Sequence, residues 1–231
     1  MTFAIDQQAD QDPIGAEMIT WGEQELKKAG CAAIRTACRS ENQTRIALLT
    51  QRGFTAEPTQ NLHLQRSLTE PIPTPQLPSG FTIRHVTGEE EVAQIVELQR
   101  ATFGTQNMTV AYRLAMMRVP DYDPTLDLIA VAPDGQWVAF CLASLSKAEN
   151  QRASQPIGWL DPIGTRPAFQ RHGLAKALLL TGLALLKARG MQLASTNAAS
   201  NNVAMQRTAE SVGFQFIAQT NWYRKEIMMS T

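Results

Sequence analysis

Cysteine and histidine are scarce in this chain, with three of each among 231 residues. The cysteines (Cys31, Cys38 and Cys141) form no CxxC pair and the histidines are scattered, so neither a zinc site nor any other metal centre is expected. So sparse and odd a cysteine count reads as reduced, core-packed thiols and a cytoplasmic location. An excess of either charge is lacking too, because 21 basic residues balance 21 acidic ones. That balance removes the general electrostatic reason to expect nucleic acid or a membrane surface as partner, and leaves any anion binding to a local site. Long apolar runs are also missing. The longest begins after Gly173 and soon meets Lys187 and Arg189, too early for a bilayer span. Asp6, Asp10 and Asp12 interrupt the start, where a secretory leader would need an apolar stretch.

What the chain does have is a proline-rich divide. "PIPTPQLPSG" (71–80) carries four prolines and ends in glycine, a composition that favours an extended, semi-rigid spacer. The segments on either side of it resemble each other. "AGCAAIRTACRSENQTRIALLTQRGF" (29–54) aligns without a gap on "RGMQLASTNAASNNVAMQRTAESVGF" (189–214) at an offset of 160. The matches include Gly30 with Gly190, Asn42 with Asn202, and Gly53–Phe54 with Gly213–Phe214. Glycine and asparagine take special backbone roles, so agreement at those positions favours a duplication. Too few residues precede the linker to hold a front half. The expected organisation is a partial repeat over 1–70, a linker over 71–80 and a complete domain over 81–231. A half repeat leaves a sheet edge uncovered, so it is expected either to dock on the complete domain or to pair with another chain, the latter giving a homodimer.

The pattern after the linker is that of a mixed α/β fold. "FTIRHV" alternates as a strand does. "GEEEVAQIVELQRATFG" is an acidic-capped helix with Val92, Ile95, Val96 and Phe103 inward, and "MTVAYRLAMMR" is a second helix stopped by Pro120. A hairpin turns at Asp134–Gly135. "IGWLDPIGTR" is a strand whose Pro162 cannot donate to a ladder and so marks a bulge. A helix over 173–189, a strand over 191–196, a helix over 202–212 and two strands near 214–219 and 221–228 complete a mixed sheet flanked by helices.

Chemistry concentrates where the strand holding Pro162 meets the next helix. "RPAFQRHGLAKALLL" (166–180) puts Gln170, Arg171 and His172 before one glycine and an apolar helix after it. A helix starting there offers unpaired N–H groups and the positive end of its dipole, and glycine lets backbone approach a ligand. With Lys176 nearby, the arrangement suits a pyrophosphate.

Residues 170–175, Gln-Arg-His-Gly-Leu-Ala, fit [Q/R]-x-x-G-x-[G/A] between a strand and a helix. The segment resembles the acetyl-CoA loop of the GNAT N-acetyltransferase superfamily. "NVAMQRTAESVGF" (202–214) is similar to that family's asparagine-to-Gly-Phe helix. The duplicated layout resembles tandem GNAT proteins of the mycothiol synthase type. The resemblance implies a GNAT fold over 81–228 and acetyl-CoA as cofactor. It implies that the strand 157–166 splays from its neighbour at 191–196, so that Ile163, Gly164 and Thr165 offer backbone groups to the pantetheine arm. It further implies that Arg171, His172, Gly173, Leu174, Ala175 and Lys176, after Gln170, hold the diphosphate, and that Asn202 bonds the cofactor, a residue that could equally be a helix cap.

Acetyl transfer to an amine needs a base to free the nitrogen lone pair. The family often places a carboxylate on the strand before the loop, and Asp161 is the only acidic residue there. The family's usual tyrosine acid falls at Ala209, leaving Tyr223 or water in that role. The expected acceptor is the primary amine of a small molecule, in a pocket lined by the helices of 91–118 and the strand 136–146, with Met108, Tyr112 and Met116 suggesting an apolar site. A catalytically weak acyl-CoA-binding module is the competing expectation.

Overall fold

Apolar alternation and helical periodicity produce the elements in the order the residue pattern sets. The computed structural model describes residues 11–152 and 154–227, so the reading placed on Asp6 and Asp10 lies outside the described residues. The described part of the chain divides into two compact units.

The larger unit comprises Leu64–Asn197 and Ala204–Phe216. Its sheet runs β8 (Leu193–Ala199), β7 (Ile157–Thr165), β6 (Trp137–Ser144), β5 (Asp127–Val131), β4 (Thr82–His85). All neighbours are antiparallel except β7 and β8. The pair β5 and β6 is the expected hairpin, with Gly135 in the left-handed conformation its turn requires (φ 86°). Helices α3 (Val92–Phe103) and α4 (Val110–Met117) follow β4, and a short α5 (Lys147–Asn150) follows β6. Helix α6 (Leu174–Ala188) lies between β7 and β8 in the chain, and α7 (Val203–Glu210) follows β8.

The core of this unit has two faces. On one, Ile95 and Leu98 of α3 pack with Ile129, Trp137 and Phe140 of the sheet. Phe103 was expected on this inner face but ends α3 half out of the core, 51% exposed, its ring edge-on to Phe140 at 5.7 Å. On the other, α6 lies against β7 with almost no room to spare. A Cβ added to Gly158 would stand 2.5 Å from Leu186 Cδ2, and one added to Gly182 would collide with Leu160. These two glycines let the α6 helix sit flush on the strand, which sets where its N-terminus falls.

The bulge expected at Pro162 is present. Asp161 and Pro162 of β7 together face one β6 residue, Leu142, between the pairs Leu160–Ala143 and Ile163–Cys141. The inserted residue shifts the phase of the strand. Gly158 and Leu160 face α6, whereas Gly164, of the same parity, meets Thr102 of α3.

The smaller unit holds the described residues up to His63 with Ala198–Val203 and the chain from Ile217 onward. Helix α1 (Gln11–Lys28), strand β1 (Ala33–Arg39), helix α2 (Gln43–Gln51) and the two-residue β2 (Thr55–Ala56) come from the N-terminal part, and β3 (Asn61–Ser67) starts there. The two expected C-terminal strands are one continuous strand, β9 (Gln215–Glu226). Its residues Thr220–Glu226 run antiparallel along all of β1, so the C-terminus gives β1 a partner that residues 1–70 alone would not. Helix α1, β1, α2 and β9 bury Ile19, Ile34, Cys38, Leu49, Phe54 and Tyr223 together. The local structure also repeats with the sequence: β1 and β8 start and end 160 positions apart. Gly30, Gly190, Gly53 and Gly213 are all left-handed, with φ between 73° and 87°.

Because the contact of Gly158 with α6 leaves no room for a branched side chain, Gly158→Val is expected to destabilise the protein by about 1–3 kcal/mol, the usual penalty of overpacking. Denaturant unfolding checks this, with the midpoint shifted down and the slope unchanged.

Candidate functional site

Strands β7 and β8 pair for only three residues. Ile157, Gly158 and Trp159 face Leu193, Ala194 and Ser195, after which the ladder stops although both strands continue. Beyond that point side chains bridge the opening. The Thr196 hydroxyl donates to the Leu160 carbonyl at 2.7 Å, and Asn197 Nδ2 donates to Asp161 Oδ2 at 3.1 Å. The edge of β7 that carries Ile163, Gly164 and Thr165 is paired with β6 on one side only. These three residues were expected to lend backbone groups to a cofactor. The structure also gives Gly164 a packing reason, since any Cβ there would strike Thr102 and Phe140.

The loop after β7 carries the second part of the site. Arg171 (φ 63°) and Gly173 (φ 78°) are both left-handed, a conformation costly for arginine and natural for glycine. Gly173 is the N-cap of α6 and no side chain caps the helix. The first bond into the helix is from Ala177 N–H to the Gly173 carbonyl, at 3.0 Å. The N–H groups of Leu174, Ala175 and Lys176 therefore lie ahead of it without a partner among the described residues. Gln170, Arg171, His172, Gly173 and Lys176 are exposed around them, and nothing lies within 4 Å of a Cβ built on Gly173. Two local bonds steady the loop: His172 Nδ1 lies 2.9 Å from the Gln170 carbonyl, and Gln170 Nε2 donates to the Thr165 carbonyl at 3.4 Å. A 15-residue helix that starts in bare amides beside cationic side chains has the electrostatics that favour an anion.

Asp161 sits where the strands part, on the wall of a cavity of about 470 Å³. Its surface is open to that cavity, but the concave protein around the carboxylate keeps water from solvating it fully. Burial accordingly pushes its pKa up from the ordinary value, against the Asn197 hydrogen bond, which lowers it. The cavity has apolar walls from Met116, Leu142 and Trp159, and it also takes in Asp121, Asp123 and Glu149. Met116 thus lies where the acceptor pocket was expected, whereas Tyr112 is exposed and Met108 gives its carbonyl to Arg100 Nε at 2.7 Å. An apolar pocket was expected, and the carboxylates correct that. Tyr122, also on the wall, donates its hydroxyl to Asp127 at 2.8 Å, and Asp127 is in a buried ion pair with Arg113. Burial, with the Asp127 charge beside it, pushes the Tyr122 phenol far above its ordinary pKa, so it stays a donor.

The other expected site residues belong to the smaller unit. Tyr223, the candidate acid, is 5% exposed and packed in the core of the smaller unit against Ile34 and Phe54, so its role there is structural and that expectation is corrected. Asn202 is exposed in the turn before α7, its N–H bonded to the Ala199 carbonyl at 2.9 Å. Residue reading did not single out Asn197. The available signal was an amide inside the otherwise small and apolar strand "LASTNAA".

A folded-state pKa raised above the unfolded value means that the native state holds the Asp161 proton more tightly. The stability this contributes is present in acid and is lost as pH rises from the ordinary aspartate range through the raised native value. At neutral pH the ionised carboxylate is a cost, so Asp161→Asn is expected to raise the melting temperature by on the order of a degree or two at pH 7. The gain is expected to vanish near pH 4. Calorimetric scans at the two pH values check this.

Comparison with known proteins places these features. Residues 92–214 match the model of the acetyltransferase (GNAT) family. The chain is 30% identical over 155 residues to a mycothiol acetyltransferase of Thermobispora bispora, covering 65% of this chain and 52% of the relative. It is 32% identical over 157 residues to the mycothiol acetyltransferase of Salinispora tropica, covering 65% of this chain and 50% of the relative. The chain thus spans about half the length of the curated relatives it matches. In fold it is similar to a GCN5-related N-acetyltransferase from Sphaerobacter thermophilus, with a TM-score of 0.78 at 22% identity over 92% of this chain and 68% of that one. It is similar as well to a tandem GNAT protein from the clavulanic acid biosynthesis pathway, with a TM-score of 0.79 at 16% identity, covering 99% of this chain and 74% of that one.

Proposed function

Because the chain belongs to the GNAT acetyltransferase family, we propose that it is an N-acetyltransferase that takes acetyl-CoA as donor and the primary amine of a small molecule as acceptor, with Asp161 as the base. The observation that carries this reading is the conjunction of two features: the parting of β7 from β8 after Trp159, and the uncapped start of α6 at Gly173.

The residues present fit the donor. The free N–H groups of Leu174, Ala175 and Lys176, with Arg171 and His172 alongside, would hold a diphosphate. The half-paired edge of β7 at Ile163–Thr165 would take an extended amide-bearing arm as a strand takes a neighbour. Bound there, acetyl-CoA supplies an acetyl group activated as a thioester, with a thiolate as leaving group.

The chain's own contribution is to bring the amine forward unprotonated. Asp161 takes a proton from the acceptor ammonium, directly or through one water, and passes it to solvent. Asn197 holds one oxygen of that carboxylate and leaves the other free for the proton. The raised pKa suits the task, since a carboxylate of ordinary acidity is a weaker base. Tyr223 takes no part here, so protonation of the departing thiolate falls to water, which a leaving group of near-neutral pKa tolerates.

A second reading, an acyl-CoA-binding module of low turnover, is favoured by one observation. Ala209 stands where the family often has its tyrosine acid, and it is completely buried.

Free thiol release from acetyl-CoA, followed across a set of small amines, separates the two readings. Turnover on at least one amine is expected, and donor binding with no release on any of them would favour the module. Asp161→Asn is expected to lower kcat/KM by about 100-fold or more with acetyl-CoA affinity retained. Gly173→Glu is expected to weaken acetyl-CoA binding at least about ten-fold, since it sets a carboxylate among the free amides. The Asn197 hydrogen bond stabilises the charged carboxylate, so its loss raises the Asp161 pKa. The acid limb of the pH–rate profile should therefore move to higher pH in Asn197→Ala. Full turnover by Asp161→Asn would remove it as the base.

A further inference from the structure

The cavity beside Asp161 carries more negative charge than proton abstraction needs. Four carboxylates, those of Asp121, Asp123, Glu149 and Asp161, line it, and no lysine, arginine or histidine does. One of the four is already neutralised, because Asp123 accepts from Arg189 at 2.8 Å. Asp121 receives only the Lys147 backbone N–H, at 3.2 Å, and neither Asp121 nor Glu149 is ion-paired with any described residue. The Arg113–Asp127 pair behind Tyr122 is neutral in sum and does not offset the others. With Asp161 serving as base, two carboxylates remain with no ion-pair partner among the described residues.

Their arrangement says what kind of cation they suit. Among the described residues no three His, Cys, Asp or Glu side chains are grouped to hold a metal ion. The acids are instead distributed around a space of about 470 Å³, within the range of small-molecule sites, and Trp159 and Tyr122 contribute aromatic surface between them. A charged wall with apolar and aromatic surface between the charges matches an alkyl chain that carries an ammonium at each end.

We infer that the acceptor of this site is a dication, an alkyl diamine or polyamine, whose reacting nitrogen lies at Asp161 while its second ammonium is held by Asp121 and Glu149. The inference rests on the acetyltransferase reading and narrows it from primary amines in general to those with a second positive charge.

The test uses the full chain and compares 1,4-diaminobutane and spermidine with butylamine and 4-amino-1-butanol. Calorimetric binding without any acyl donor is measured first, then thiol release from acetyl-CoA. The diamines are expected to bind about five- to ten-fold tighter than the monoamines, the effect of one or two partly solvated ion pairs, and to show the same advantage in kcat/KM. Raising the salt from 20 mM to 500 mM should shrink that advantage in the unmodified protein, because screening weakens accessible charge pairs. The double variant Asp121→Asn/Glu149→Gln should lose the advantage at low salt while keeping the melting behaviour of the parent. Equal binding of diamine and monoamine, or a preference that survives in the double variant, overturns the inference while leaving the acetyltransferase reading intact if thiol is released. Selective diamine binding with no thiol release on any amine supports the inference about the cavity and removes the enzyme reading instead.

Discussion

The candidate site depends on one interruption: the ladder between β7 and β8 ends at Trp159 and Ser195 while both strands run on. A parallel pair normally continues as far as both strands last, because each unmade backbone bond inside a protein has a cost. Here the cost is offset locally. The Thr196 hydroxyl satisfies the Leu160 carbonyl, the first backbone acceptor past the break, while the Asn197 and Asp161 side chains bond to each other across the gap. The opening that results holds a carboxylate on its wall, bare strand edge along its length and an uncapped helix at its end.

The bulge in β7 lies just past the end of that ladder. Two residues against one shift the side-chain alternation, and in this strand the shift reverses which face each parity serves. Before it, Gly158 and Leu160 fit under α6. After it, Gly164 fits under α3. Asp161 and Pro162 occupy the two bulged positions, the place where a strand can turn a side chain off its regular course. The same two residues line the cavity. One inserted residue therefore lets β7 pack closely against helices on both faces and aim its single acid into the space between.

Much of this was legible in the residues. Pro162 signalled the bulge because proline has no N–H to give a ladder. Gly173 signalled the helix start because the loop around it ran from strand to apolar helix with cations before it. The spacing of 160 between β1 and β8 was readable from glycines and asparagines, the residues whose backbone needs make them reliable markers. The misses share a cause. Asn197 matters only through its register against Asp161, and the acidity of the cavity is assembled from residues 121, 123, 149 and 161, which come together only in three dimensions. Tyr223 was readable as a strand-end aromatic packed on a core, but nothing local to it says that this core is the one formed with α1 and α2. The two strands read near 214–219 and 221–228 part at Thr220, yet in β9 that residue continues the pairing, with Thr220 and Asn221 opposite Arg39 and Cys38.

The path of β9 bears on why the C-terminal residues should matter to the N-terminal ones. Strand β1 has its whole length paired with Thr220–Glu226, and the smaller unit's core takes Tyr223 from that same segment. Apolar groups of α1 and α2 are thus covered by a strand that arrives more than 160 residues later in the chain. Such a unit cannot form its core until the rest of the chain is made, since contacts of that sequence separation must first meet the loop-closure cost. The larger unit has no such wait for its sheet from β4 through β8, whose partners are joined by connections far shorter than that, the longest being those through α3 and α4 and through α6. The order of assembly that this arrangement favours is therefore the larger unit first, with the N-terminal helices settling onto β1 once β9 is in place.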